Sequence, residues 1–447
     1  MARPSKSEEP LRKDPMTDII DDLQWRGLIA QTTDLDDLRK ALADGPVTLY
    51  CGFDPTAGSL HVGHLTQALT LARFQRAGHR PIALVGGATG MIGDPKPNAE
   101  RTLNSPETIR QWVGNLKRQL SSFLEFTPEG AEPKPTDALL LDNAEWLGKL
   151  TAIGLLRDIG KHFSINQMLA RETVKTRLEG AGMSYTEFSY VLLQSYDYVE
   201  LYRRHGCTLQ IGGSDQWGNI TAGLDLIRRM EGNEPHGPAH ALTTTLLTKA
   251  DGTKFGKTES GAVWLDPELT SPYAFYQFWF NSDDRDIPRY LRIFSFRSRE
   301  EIEELEQKTI ERPAERAAQR ALAEELTTLV HGEQECRNVI EASKALFGHG
   351  TLADLNPDTL GAALKEVPHV ELSGTVRELP PLVDLFASTG LVPSKSAARR
   401  TIQEGGAYLN NAKVTDIEAR VSEADLLHGR YLVLRRGKRN VGGVILR

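Results

Sequence analysis

The stretch that decides the fold runs from Val47 to His64 and reads VTLYCGFDPTAGSLHVGH. An apolar run is followed by a turn-rich loop and then by two histidines three residues apart. The apolar pattern continues to Ala77 and stops at Gly78, which predicts a helix after the loop. A strand, a loop and a helix in this order present the free N–H groups and partial positive charge of the helix N-terminus to an anionic ligand.

The two histidines, His61 and His64, are the first candidate site residues. Residues i and i+3 share one face of a helix, so both rings can point at one bound group. Gly63 between them leaves room for a flat ligand against the backbone. A zinc site would need three or four protein ligands, and no nearby Cys, His or Glu cluster completes such a shell. The segment favours a nucleotide-phosphate site, although a solvated histidine pair gives the same pattern.

Composition indicates a globular protein of two or three domains, because the 447 residues are 40% apolar and 25% charged. Three scattered cysteines, Cys51, Cys207 and Cys336, suit a reducing cytosol, so we expect a cytoplasmic protein. The sequence contains no run of 18 apolar residues, so no membrane-spanning helix is predicted. Residues 1–16 carry both charges and prolines, and are predicted to be a polar tail rather than a signal peptide.

Charge is distributed unevenly along the chain. The net charge is −7, which by itself argues against nucleic-acid binding. Residues 391–447, however, hold eleven Lys and Arg against five Asp and Glu, a net of +6, whereas the remainder carries −13. A basic C-terminal module on an acidic body is expected when one end meets a polyanion.

Further short apolar segments extend the α/β pattern. Strands are predicted at 81–85, 138–142 and 209–213, and two of them run into glycines, as parallel strands do at a ligand crevice. We therefore predict an α/β fold: a doubly wound, Rossmann-like parallel sheet in a catalytic domain over residues 17–235, with helices inserted in its middle.

The rest of the chain is predicted to form two smaller domains. Residues 231–238, rich in Gly and Pro, should connect the sheet to an α-helical domain at 236–350. A linker at 351–375 and a small α+β domain at 376–447 would follow.

A second candidate site segment is KFGKT, Lys254 to Thr258. Two lysines three residues apart, beside Gly and Thr, suit a mobile loop that neutralises phosphates as it closes, because lysine is a compact charge on a flexible stem. In isolation, a surface turn with solvated lysines gives the same pattern.

A third candidate is a polar stripe on the helix predicted around residues 185–202. Tyr190, Gln194 and Asp197 lie at i, i+4 and i+7 on an otherwise apolar helix. A polar stripe that faces a core is costly unless it is satisfied or holds a ligand. The alternative is that this stripe faces solvent.

Taken together, HVGH and KFGKT resemble the two hallmark motifs of class I aminoacyl-tRNA synthetases, usually HIGH and KMSKS. The stretches YCGFDPT at 50–56, VGGATGMIGD at 85–94 and QIGGSDQWGN at 210–219 look like those of bacterial tyrosyl-tRNA synthetases. The resemblance extends from about residue 17 to the end. It implies the activation of L-tyrosine with ATP and Mg²⁺, transfer to tRNA(Tyr), no tightly bound protein metal, and a homodimer formed through the helices around 140–185.

The resemblance also implies roles for individual residues. The tyrosine phenol would meet Tyr50 and Asp197, and its α-ammonium would meet Asp94, Tyr190 and Gln194, with Gln216 positioning the substrate. ATP would meet the remaining motif residues, which are Cys51, Asp54, Thr56, His61, Gly63, His64, Asp215, Lys254, Lys257 and Thr258. Arg101 matches an arginine that contacts pyrophosphate, but the loop at 95–101 is one residue shorter than the family's, which leaves the role of Lys96 open.

The C-terminal module resembles the αL RNA-binding fold. Lys395, Arg399, Arg400 and Lys413 would contact RNA phosphates. A second basic edge is formed by Arg435, Arg436, Lys438 and Arg439.

Three rival functions are weighed against this resemblance. A tryptophan synthetase shares the fold and both motifs, but Tyr50 and Asp197 favour a phenol. An RNA-binding or splicing accessory would not need intact motifs at the catalytic positions. A small-molecule adenylyltransferase would not need a helical domain and a basic RNA module.

Overall fold

The computed structural model describes residues 18–96, 102–180, 182–258, 261–438 and 440–447. Within these residues the chain forms two compact units. The first contains the chain up to Ala262 together with Pro288–Ile302, and the second contains Val263–Ile287 and Glu303–Arg447.

The first unit is built on a six-stranded sheet. Its strands are β1 (Ile29–Thr32), β2 (Thr48–Phe53), β3 (Arg80–Val85), β4 (Leu139–Asp142), β5 (Cys207–Gly213) and β6 (His240–Thr244). They lie in the order β1-β6-β5-β2-β3-β4, and all neighbours are parallel except β1, which runs antiparallel to β6. From β2 the chain winds outward through β3 and β4, and then returns to the other side of β2 through β5 and β6. The prediction of a doubly wound sheet is therefore confirmed.

Helices connect these strands and cover the sheet. They are α1 (Ile19–Trp25), α2 (Leu35–Asp44), α3 (Val62–Arg76), α4 (Pro106–Leu120), α5 (Ala144–Leu147), α6 (Ala152–Gly154), α7 (Ile165–Leu169), α8 (Glu172–Glu179), α9 (Tyr185–His205) and α10 (Trp217–Glu231). A two-stranded hairpin, β7 (Lys257–Thr258) with β8 (Gly261–Ala262), follows the sheet. As predicted, α3 ends before Gly78, whose φ of +97° closes the helix in the left-handed region.

The prediction that the sheet ends near residue 235 is wrong, because β6 pairs with β5 beyond that point. The strand was missed since it contains His240, Thr243 and Thr244, which are polar but buried, so the sequence lacks an apolar run there. The hydroxyl groups of Tyr198 and Tyr202 donate to the carbonyls of His240 and Gly237 at 2.7 and 2.8 Å. These bonds fix the connection between α10 and β6 to the buried face of α9.

The second unit and the segment that returns to the first are largely helical before residue 366. The helices are α11 (Pro272–Phe280), α12 (Ile287–Phe294), α13 (Arg299–Glu311), α14 (Ala317–His331), α15 (Glu333–Leu346) and α16 (Pro357–Lys365), followed by α17 (Leu382–Ser388) and α18 (Lys395–Gln403).

The C-terminal part contains a five-stranded sheet. Its strands are β9 (His369–Leu372), β10 (Ala407–Leu409), β11 (Ala412–Lys413), β12 (Tyr431–Arg436) and β13 (Asn440–Leu446), in the order β11-β10-β12-β13-β9. The segment 351–375, predicted as a linker, instead supplies α16 and the edge strand β9, which pairs in parallel with β13. Gly361 of α16 allows this packing, since a Cβ there would lie 2.5 Å from the Tyr431 hydroxyl.

Candidate active site

The N-terminus of α3 holds the two histidines predicted as phosphate ligands. His61 is the N-cap residue, and its Nδ1 accepts the N–H of Gly63 at 3.0 Å, while Nδ1 of His64 accepts the N–H of His61 at 3.1 Å. The two rings stack with centroids 3.9 Å apart. Since both Nδ1 atoms are acceptors, each neutral ring carries its proton on Nε2.

Both histidine rings are held in the neutral form. Burial lowers the pKa of His64 to about 3, and the neighbouring His61 adds to the effect. Burial also lowers the pKa of His61, with a smaller contribution from the charge of Lys257. The pair can therefore offer two neutral N–H donors at the start of a helix, where an anion is also stabilised by the helix dipole.

The KFGKT segment lies against this helix start. Gly256 has a φ of +77°, and a Cβ there would lie 2.8 Å from Cγ2 of Val62, so only glycine fits this approach. The ring of Phe255 packs between Tyr290 and Phe294 of α12, at centroid distances of 5.1 and 5.4 Å. The side chains on either side of this anchor, Lys254 and Lys257, are exposed. The structure thus brings both predicted phosphate-binding segments together.

A buried phenol and carboxylate lie at the other end of the site. Asp197 of α9 accepts hydrogen bonds from Trp146 Nε1 at 2.7 Å and from Asn143 Nδ2 at 2.9 Å. Burial raises the pKa of Asp197 to about 8, although these two donors oppose that shift. The hydroxyl of Tyr50 on β2 is buried and makes no hydrogen bond among the described residues. A buried hydroxyl without a partner is costly, and a polar ligand would relieve that cost.

The predicted polar stripe of α9 faces the protein interior, so the alternative that it faces solvent is wrong. Tyr190 and Asp197 are buried, and Gln194 is half-buried. The Tyr190 hydroxyl donates to Asp54 Oδ2 at 2.6 Å, and the hydroxyl of Thr89 donates to Asp54 Oδ1 at the same distance. Burial raises the pKa of Tyr190, with Asp54 contributing next, so its hydroxyl stays protonated and can keep donating.

A second polar network surrounds Asp94, at the end of the glycine-rich loop after β3. Gln216 Nε2 donates to Asp94 Oδ2 at 2.9 Å, and Asn219 Nδ2 donates to Asp94 Oδ1 at 3.1 Å. Gln194 Nε2 donates to Gln216 Oε1 at 3.3 Å, while Gln194 Oε1 is buried and accepts nothing from the described residues. The network therefore presents acceptor atoms, which suits a cationic ligand.

The remaining predicted ATP residues lie near the ends of β2 and β5. Cys51 is buried on β2, and its pKa is raised to about 12 by burial, with a smaller effect of the nearby Asp215. Asp215 is exposed in the turn that follows β5, and Thr56 is exposed in the loop before α3. Strand β2 and its neighbour β5 thus carry these residues at their carboxyl ends, where ligands bind in doubly wound sheets.

Four predictions fall wholly or partly outside the described residues. The predicted polar tail at 1–16, Arg101 and Arg439 lie in segments that are not described, and the side chain of Thr258 is not described either. Lys96 is described and exposed, and its carbonyl accepts a hydrogen bond from Arg177 at 2.7 Å.

The basic residues of the C-terminal module are placed unevenly. Arg399, Arg400 and Lys413 are exposed, whereas the Lys395 ammonium forms a 2.9 Å ion pair with Asp384. The prediction that Arg435 belongs to a phosphate-contacting edge is wrong. Its side chain is buried, with the guanidinium 4.3 Å from the ring centroid of Tyr408 and one nitrogen donating to the Gly437 carbonyl.

Four site residues were missed by sequence reasoning: Thr89, Asn143, Trp146 and Asn219. Asn143 Nδ2 donates to both Asp197 and Thr89, and Thr89 donates to Asp54, so Asn143 joins the carboxylates of Asp197 and Asp54 into one network. Asn143 directly follows β4, and side chains that follow parallel strands gather at one edge of the sheet. This position, directly after a parallel strand, is the sequence signal that could have identified Asn143.

Comparisons with known proteins find similarity over most of the chain. The family described as "tRNA synthetases class I (W and Y)" matches residues 42–348, and "Tyrosine--tRNA ligase SYY-like C-terminal domain" matches residues 359–442. The tyrosine–tRNA ligases of Streptomyces coelicolor and Streptomyces griseus are each 66% identical over 430 residues, which cover 96% of this chain and 99% of theirs. A truncated mitochondrial tyrosyl-tRNA synthetase from Aspergillus nidulans is similar in structure (TM-score 0.64, 33% identity), covering 72% of this chain and 92% of that one.

The fold and the paired motifs thus define a class I aminoacyl-tRNA synthetase of the tryptophan and tyrosine group. Within that group, the identity to the Streptomyces proteins over nearly their full length shows that this chain belongs to the tyrosine–tRNA ligase family.

Among the described residues, none of the helices has the length and apolar character needed to span a membrane. In the same part of the chain, no group of three or more His, Cys, Asp or Glu side chains is arranged to hold a metal ion.

Proposed function

We propose that this chain performs both steps of its family's reaction. The carboxylate of L-tyrosine attacks the α-phosphate of ATP, giving tyrosyl-adenylate and pyrophosphate, and a ribose hydroxyl at the 3′ end of tRNA(Tyr) then attacks the carbonyl. The proposal is supported most by the buried Tyr50 hydroxyl, which has no hydrogen-bond partner among the described residues and lies near Asp197. A tyrosine phenol could donate to an oxygen of the Asp197 carboxyl group and accept from Tyr50, which tryptophan could not do in the same way.

The α-ammonium of tyrosine is assigned to the Asp94 network. Gln194 Oε1 accepts nothing from the described residues. The Asp94 carboxylate accepts hydrogen bonds from the side-chain amides of Gln216 and Asn219, which hold it in place. An ammonium group has three donors and no acceptor, so it complements these oxygens. Phenylalanine would satisfy this end but leave the Tyr50 hydroxyl without a partner among the described residues, and it would offer no donor to Asp197. A site built to bind a substrate hydroxyl rejects the analogue that lacks it, and tyrosyl-tRNA synthetases are the well-known example of this effect.

The phosphates of ATP are assigned to the start of α3 and to the KFGKT segment. His61 and His64 offer neutral N–H donors, and Lys254 and Lys257 offer mobile positive charge. These groups suit the charge that develops on a pentacoordinate phosphate, and no side chain is needed as a covalent nucleophile. Mg²⁺ would arrive with ATP as part of the substrate. The remaining ATP contacts are assigned to Cys51, Asp54 and Asp215 at the ribose, and to Thr56, Gly63, Thr258 and Arg101 near the phosphates.

The basic C-terminal module is assigned to tRNA. Arg399, Arg400 and Lys413 are exposed and can reach phosphates, and Lys395 can contribute by exchanging its partner Asp384 for RNA. We expect that replacing Arg399 and Arg400 together with alanine raises KM for tRNA and makes it less salt-dependent, while the activation step is unchanged.

We infer that the chain forms a homodimer through the inserted helices. Large apolar side chains project from this region: Ile153 and Tyr185 are 71% and 70% exposed, and Leu156, Ile165 and Leu178 are also exposed. Exposed apolar clusters of this kind mark interaction surfaces. Sedimentation of the Ile165→Glu variant should show a monomer. Three buried free thiols suit the reducing cytoplasm, where we place the protein.

The most direct test of the proposed activity is ATP–pyrophosphate exchange with each of the twenty amino acids. We expect exchange with tyrosine. Exchange with tryptophan instead, or with no amino acid, would overturn the proposal.

A further inference from the structure

Arg171 lies in the connection between α7 and α8 and contacts the amide groups that surround Asp94. Its Nη1 donates to Asn219 Oδ1 at 3.0 Å, and its Nη2 donates to the Gly218 carbonyl. The side chain is half-buried against the start of α10. Burial lowers the pKa of the Arg171 guanidinium, and the charge of Asp94 opposes this shift, so the two ionised groups lie close enough to attract each other.

The direction of these hydrogen bonds follows from the chemistry of arginine. A guanidinium can donate but cannot accept, so Asn219 must turn its Oδ1 towards Arg171. Its Nδ2 then donates to Asp94 Oδ1 at 3.1 Å and to Gln216 Oε1 at 3.2 Å. Gln216 in turn donates to Asp94 Oδ2. One guanidinium therefore sets the orientation of successive amide groups.

We propose that Arg171 is a positioning residue for the α-ammonium group of the amino-acid substrate. It acts chiefly through Asn219, by fixing the amide so that Asp94 receives a donor. Without Arg171 the amide can reverse, which would turn the Asn219 carbonyl towards the Asp94 carboxylate and displace it by repulsion. This inference rests on the proposed assignment of Asp94 to the substrate ammonium.

The test uses two ligands of almost equal shape. Tyramine carries the phenol and an ammonium group, whereas 4-propylphenol has a methyl group in place of the ammonium. Inhibition constants for both are measured in tyrosine-dependent ATP–pyrophosphate exchange. In the Arg171→Gln variant we expect tyramine to bind about tenfold more weakly, as loss of an ordering hydrogen bond next to a charge implies, and 4-propylphenol to bind as before.

Four further variants separate positioning from general destabilisation and from direct attraction between the two charges. Arg171→Lys keeps a donor and should restore part of the tyramine affinity. Asn219→Ala should weaken tyramine selectively, and adding Arg171→Gln to it should cause little further loss, because the arginine acts through that amide. Arg228→Gln is the matched control, because Arg228 is an exposed arginine of α10, the helix that carries Asn219. It should change neither inhibition constant.

Equal weakening of both ligands by Arg171→Gln, or additive losses in the double variant, would overturn the inference. If Arg171→Gln does not fold, Arg171→Lys and Asn219→Ala carry the test. Failure of the proposed function looks different: the unaltered protein itself would then bind tyramine no better than 4-propylphenol, or would show no tyrosine-dependent exchange.

Discussion

The two ends of the candidate site are constructed in opposite ways. The phosphate end consists of two short segments, one at the start of α3 and one at Lys254 to Lys257, and its lysines are exposed. The tyrosine end is assembled from side chains of β2, α5, α9 and their neighbouring loops, most of them buried and joined by hydrogen bonds. Exposed, mobile charges can gain contacts as the reaction proceeds, whereas buried networks are fixed beforehand. We therefore expect the first end to govern rate and the second to govern affinity and selectivity.

The largest effect is expected at the phosphate end. Lys254→Ala or His64→Ala should lower the rate of tyrosyl-adenylate formation by about 10² to 10³, because each removes a donor that strengthens in the transition state. Single-turnover kinetics and equilibrium binding of tyrosine would measure the two quantities separately. Lys40→Ala, at an exposed lysine of α2, is the control. If these variants lowered only the affinity for tyrosine, the proposal that the phosphate end governs rate would be wrong.

A smaller effect is expected where the two phosphate-binding segments touch. Gly256→Ala would place a Cβ 2.8 Å from Val62 and should lower the activation rate by about tenfold, as modest overpacking does. Gly252→Ala is a matched control, because Gly252 has a similar φ of +82° but nothing within 4 Å of its Cβ position. Equal losses in both variants would mean that backbone strain, and not the contact with α3, is responsible.

At the tyrosine end, Tyr50→Phe should act on selectivity. Removing one hydroxyl from the phenol site should lower kcat/KM for tyrosine about threefold to tenfold, the usual range for one net hydrogen bond, and leave kcat/KM for phenylalanine unchanged. The ratio of the two constants, measured by pyrophosphate exchange, is the decisive quantity. An unchanged ratio would show that Tyr50 does not read the phenol.

The last prediction concerns the pH dependence of stability, to which the two ends should contribute with opposite sign. Asp197 has a native pKa of about 8 against about 4 when unfolded, so between these values the native state holds a proton that the unfolded state has lost. Its contribution to the free energy of unfolding therefore falls by up to about 1.4 kcal/mol for each pH unit as pH rises. His64, with a native pKa of about 3, binds its proton only when unfolded, so its contribution rises with pH up to about 6.5.

Melting temperatures of the unaltered protein, Asp197→Asn and His64→Asn between pH 5 and 8 would measure these slopes. Relative to the unaltered protein, Asp197→Asn should gain stability as pH rises, and His64→Asn should lose it up to about pH 6.5. Parallel profiles for all three proteins would contradict the protonation states assigned to both ends.

The same contrast explains which site residues could be predicted from the sequence. His61, His64, Lys254 and Lys257 were found because they stand in short motifs whose spacing carries the chemistry. Asn143 and Trp146 were missed, since they lie more than 50 residues from their partner Asp197 and nothing local marks them. Strand β6 was missed because buried polar residues break the apolar pattern, and β9 because an edge strand of four residues, none of them buried, resembles a loop.

By itself, the sequence determined that the sheet is doubly wound, where the helix at the histidine pair starts, and the family to which the chain belongs. These follow from local periodicity, turn residues and motifs, which act over a few residues. The tertiary structure alone decided which polar atoms meet. The direction of the amides around Asp94, the burial of the Tyr50 hydroxyl without a partner among the described residues, and the burial of Arg435 depend on distant segments that pack together. No local pattern encodes such an approach.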